Sequence, residues 1–165
     1  MAPIHRTTLV LCASLLLVAA GPVKSTPGSP VMLQSNPGTK TDATARTLSA
    51  EDIAAARSRG DQPLLLTARA ALGGPQPALF VQLQSPRECG SAGCSTSIFS
   101  FERGRWQRVL DSATGLLKVS AKKTRSRNDI ISQDDHYVWS GTDYRSIDPA
   151  PASIDLRPHP HPRRQ

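Results

Sequence analysis

At 165 residues the chain has room for one small domain with flanking segments, which excludes a large multidomain enzyme. Its formal charge is +7, yet only 20% of residues are charged, so it is no polyelectrolyte. Aromatic residues make up 4% and all seven fall between Phe80 and Tyr144, which confines the densest packing to that window.

Residues 1–20 read as an export signal. Met1–Arg6 carries one basic residue and no acid, Leu9–Ala20 is a short apolar run, and Val18, Ala19 and Ala20 suit a cleavage site before Gly21. The run is shorter than the roughly twenty residues a bilayer span needs. After cleavage the expected chain has no transmembrane span, a charge of +6 and only two cysteines, Cys89 and Cys94.

Residues 21–47 read as a Pro/Ser/Thr-rich linker, and 147–165 as a disordered Pro/Arg-rich tail that includes His159 and His161. Nine of the 14 prolines lie in these flanks, which leaves 48–146 as the expected domain. A helix opens it. Ser49 is the expected N-cap, Leu48 and Ile53 a hydrophobic staple, and Gly60 the stop.

Strands are expected next. Leu64–Leu72 ends at Gly73-Gly74-Pro75, and Pro77–Gln84 follows. In Cys94–Glu102, Phe99 and Phe101 point one way and Ile98 the other. Arg103-Gly104 is a two-residue turn into Arg105–Leu110, with Trp106, Arg108 and Leu110 on one face. Leu116–Ala121, Asn128–Ser132 and Tyr137–Ser140 complete the set. Short strands with turn signals between them predict a mainly β fold, an antiparallel meander with one short N-terminal helix and a local disulfide turn.

Cys89-Gly90-Ser91-Ala92-Gly93-Cys94 supplies that turn. Glycines and small residues let the chain double back and bring the two cysteines within bonding range. Four intervening residues before a strand favour a structural disulfide over a redox pair, and two thiolates alone do not complete a zinc site. This motif, followed by Ile98-Phe99, Gly104-x-Trp106-Gln107-x-Val109 and, more faintly, Asn128-Asp129-Ile130 and Trp139–Tyr144, resembles a group of small exported bacterial proteins of uncharacterised function. The resemblance implies export and β-structure and supplies no catalytic residue. Where that group has a glycine before its Asp-Ile pair, Arg127 and Asn128 stand here.

Between Arg103 and Arg127 eight basic residues face one acid, Asp111. Lys118, Lys122, Lys123, Arg125 and Arg127 are the anion-binding candidates, set against a solvated loop that only aids solubility. No aromatic interleaves with them, and export argues against a genomic nucleic-acid partner. Trp139 and Tyr144 are candidates for a binding surface, with burial as the competing use. Asp129, Asp134, Asp135 and His136 lack the spacing of a calcium loop. No serine sits in Gly-x-Ser-x-Gly, and no catalytic residue, metal or cofactor is expected. The sequence therefore predicts a periplasmic or secreted non-catalytic module whose partner is an anionic envelope polymer or an envelope protein. An inhibitor of an extracellular hydrolase and a small hydrolase using His136 are the alternatives.

Overall fold

The computed structural model describes residues 28–147, apart from Ala92 and Asp134. The expected export signal at 1–20, the first residues of the linker, and the tail after Ile147 with His159 and His161 lie outside the described residues.

Regular structure is present inside the stretch read as linker. Strand β1 spans Gly28–Pro30 and helix α1 spans Lys40–Leu48. Polar residues build this helix. Thr39 is its N-cap, its Oγ1 accepting the Asp42 amide at 3.2 Å, while Asp42 accepts the Gly38 amide at 3.3 Å and Arg46 Nε at 2.9 Å. Only Ala45 and Leu48 carry its apolar contact with the rest of the molecule, too thin a signal for a sequence period.

Helix α2 covers Ala50–Ser58. Ser49 is its N-cap residue, but its side chain makes no capping bond, and its backbone N–H closes α1 by donating to the Ala45 carbonyl. Gly60 ends α2 as expected, at φ 83° with its amide on the Arg57 carbonyl. The fold therefore opens with two helices where the sequence predicts one.

Mainly antiparallel β-structure follows. Strands β2 (Leu64–Ala70), β3 (Ala78–Gln84), β6 (Thr96–Glu102) and β7 (Arg105–Ala113) form a four-stranded meander in the order β2-β3-β6-β7. Between β3 and β6 the chain makes the small ladder β4 (Cys89–Gly90) and β5 (Gly93–Cys94), closed by the Cys89–Cys94 disulfide with Cα atoms 4.0 Å apart. Strands β8 (Lys118–Thr124), β9 (Arg127–Ile131), β10 (His136–Trp139) and β11 (Tyr144–Ser146) form a second meander, and β1 pairs with β8 to make five strands.

These parts stack in three layers. One face of the four-stranded sheet presents Phe80, Ile98 and Val109 to Ile130, Tyr137, Trp139 and Tyr144 of the five-stranded sheet. Its other face presents Leu65, Leu79, Val81 and Phe99 to Ala45 and Leu48 of α1. Strand β3 is thus buried on both sides, which is why it reads as a continuous apolar run.

The turns follow backbone chemistry. Arg103 (φ 49°) and Gly104 (φ 82°) form the expected two-residue turn. One face prediction fails on β7. Ile98 pairs with Leu110 but Phe99 pairs with Arg108, so Val109 is an extra residue on β7. Beyond this bulge the alternation inverts, and Leu110 packs on the side opposite Trp106.

Candidate functional site

The basic segment is a hairpin, not a loop. Lys118–Thr124 runs up β8, Arg125 and Ser126 turn the chain, and Arg127 opens β9. Strand alternation then scatters the five anion-binding candidates. Arg127 lies between the sheets, where it donates to Glu102 Oε1 at 2.6 Å and stacks over Trp139 at 5.0 Å. Lys122 Nζ is 4.0 Å from Asp129. Arg125 donates to the Ser140 carbonyl. Lys118 is exposed at the start of β8, and only Lys123 faces a cleft. Trp139 and Tyr144 form no binding surface, because both are buried, ring against ring, in the core between the sheets. Aromatic residues are too scarce here for the core to spare them.

His136 does find a carboxylate, though not a sequence neighbour. Its Nε2 is 3.1 Å from Oδ2 of Asp129, which is fully buried one strand away. Asp129 Oδ1 has no hydrogen-bond partner among the described residues. Asp135 instead accepts from Tyr137 OH at 3.0 Å and from Ser146 Oγ at 2.9 Å. Burial, reinforced by Asp135, pushes the Tyr137 phenol up to about 12. The His136–Asp129 contact is the arrangement that orients an imidazole in a nucleophilic site.

The cleft that stands out lies around Arg69, a residue the sequence did not single out. Along β2, alternation sends Leu65, Thr67 and Arg69 toward the helices and Ala68 and Ala70 toward the other sheet. Arg69 comes near the strand end, reaches over Trp106 at 5.5 Å and donates to the Pro77 carbonyl at 3.3 Å. Three clefts share it. One of about 320 Å³ lies between α1 and the β6–β7 hairpin and is lined by Lys40, Thr41, Thr44, Gln76, Phe101 and Trp106. A second of about 450 Å³ takes in Gln34, Asn36, Thr39 and Thr67. The third, about 780 Å³, runs between β1, β2 and β8 past Ser29, Ser120, Asn128 and Lys123. Among the described residues no Asp or Glu lines any of the three.

The opposite end of the four-stranded sheet differs. A cleft of about 330 Å³ beside α2 holds Asp52, Glu88 and Asp111, and these are paired there with Arg59 and Arg108. Each of its acids is paired with an arginine there. The molecule therefore separates an ion-paired cleft from a set whose lining has no acid and carries Arg69, Lys40 and Lys123 beside hydroxyl and amide groups. Cations in concave walls whose own lining carries no acid concentrate positive potential.

No helix of the described residues is long and apolar enough to cross a membrane. No family model matches the chain, and neither a curated protein nor a solved structure matches it.

Proposed function

We propose that this chain is an exported, non-catalytic binding module of the cell envelope, and that its ligand is an anionic polymer held along the clefts around Arg69. The observation that carries the reading is the absence of acidic residues among the described lining of three clefts that share one arginine. Contiguous clefts suit an extended ligand better than a compact one. Export is supported by the charged-then-apolar N-terminal segment and by the disulfide, which persists in oxidising compartments.

Binding to dextran sulfate and to uncharged dextran tests it. Dextran sulfate should bind at low salt and release steeply as salt rises, whereas dextran should not bind. Arg69→Glu combined with Lys123→Glu should weaken dextran sulfate binding by about tenfold or more. Lys118→Glu, outside the clefts, should change it little. Equal behaviour of the double variant and the parent would remove the clefts as the site.

A further inference from the structure

We infer that the cleft between α1 and the β6–β7 hairpin is a subsite for an acidic sugar, a ring whose carboxylate is held by Arg69. This rests on the anionic-polymer reading above and gives the polymer a chemistry. The guanidinium of Arg69 is held from two directions, its Cζ lying over the Trp106 ring 5.5 Å from the centroid and one N–H donating to the Pro77 carbonyl at 3.3 Å. A guanidinium has five donors in a rigid plane, so a carboxylate can still be taken in bidentate fashion along a free edge. These two contacts restrain the guanidinium before the ligand arrives, which lowers the ordering cost of binding.

The rest of the lining favours a sugar over a bare polyanion. Phe101 and Trp106 are only half-buried and meet edge to face, centroids 5.4 Å apart. Together they offer an apolar wall to the C–H face of a pyranose ring. Thr41, Thr44 and Gln76 place hydroxyl and amide groups around that wall, matching hydroxyls that both donate and accept. A phosphate chain could accept from these hydroxyls and the amide, but it has no C–H face for the aromatic wall and no donor hydroxyls of its own. At about 320 Å³ the cleft lies at the low end of ligand-sized cavities, a fit for a saccharide unit rather than a long segment.

A second, independent sign lies two residues back on the same face of β2. Thr67 is 3% exposed and its Oγ1 has no hydrogen-bond partner among the described residues, although it lines the adjoining cleft. A buried hydroxyl left unpaired is unfavourable unless something bonds to it. A neighbouring sugar unit in that cleft would bring a hydroxyl to it.

The experiment compares galacturonate oligomers, neutral malto-oligomers of equal length, and polyphosphate of matched charge, by calorimetry and by tryptophan emission. Galacturonate oligomers should bind and shift the emission of half-buried Trp106, and malto-oligomers should bind at least tenfold more weakly. Trp106→Ala should cost galacturonate tenfold or more and cost polyphosphate clearly less, because polyphosphate loses only the support of Arg69 whereas the sugar also loses its apolar wall. Since Trp106 also touches the core, Thr44→Trp, which fills the cleft from the helix surface, is the second variant and should block galacturonate while the thermal melt stays intact. If galacturonate affinity ignores both variants, or malto-oligomers bind equally well, the subsite is refuted. Binding of polyphosphate and dextran sulfate without galacturonate would refute the sugar and leave the polyanion reading standing. Binding of none of the polyanions would overturn both.

Discussion

Asp42 caps, pairs and is buried at once, which makes it a sensitive point at the residue scale. Its bond from Arg46 holds the carboxyl below the ordinary 3.8, against the opposing effect of burial and with help from the Gly38 amide. A carboxyl whose folded pKa is depressed contributes stability above its unfolded value and loses it as pH falls through the folded one. The share contributed by Asp42 should therefore be complete at neutral pH and disappear below about pH 4. Asp42→Asn should lower Tm at pH 7 and converge with the parent on acidification. Melting curves from pH 7 to pH 2 would show this, and two parallel Tm profiles would contradict it.

Among the elements, the β8–β9 hairpin carries the clearest local cost. Arg125 (φ 49°) and Ser126 (φ 71°) both occupy the left-handed region, as this turn requires, yet neither is glycine. Left-handed backbone costs a residue with a Cβ roughly 1–2 kcal/mol, and glycine escapes that while gaining unfolded-state freedom. Ser126→Gly should raise stability by about 0.5–1 kcal/mol, read from the urea midpoint. A lowered midpoint would mean that the serine side chain supports the turn.

The same scale shows what could be read from residues alone. Seven strands were legible because period-2 alternation and turn residues are local signals, and Arg103-Gly104 carried its own backbone conformation. Three features were not. Helix α1 hides in a polar stretch whose stability comes from caps and tertiary contact. The Val109 bulge leaves no trace in a single strand, because it is defined by pairing with Ile98 and Phe99. The clefts around Arg69 gather residues from β1, α1, β2, β7 and β8, and no sequence window contains them. The basic run misled for the same reason. Charge density along a chain says nothing about which guanidinium, such as that of Arg127, will be spent on joining two sheets.

On the scale of the whole molecule, the disulfide is a satellite. It closes a six-residue turn outside both large sheets and touches the four-stranded one through Gln82, whose Nε2 donates to the Cys94 carbonyl at 3.2 Å. A loop that short limits the unfolded chain by only about 2 kcal/mol. Replacing Cys89 and Cys94 with serine should lower Tm by roughly 8 °C and leave the far-ultraviolet β spectrum in place. Loss of the spectrum would show that the turn organises the sheets. The β1–β8 ladder sets a different constraint. Each meander assembles from consecutive strands, but Gly28 meets Ser120 across about ninety residues of chain. Such closure is slow, because the entropy of the intervening loop is lost before any contact forms. The strand that walls one side of the third cleft is therefore the last to arrive during folding, and that cleft is completed only after the core has set.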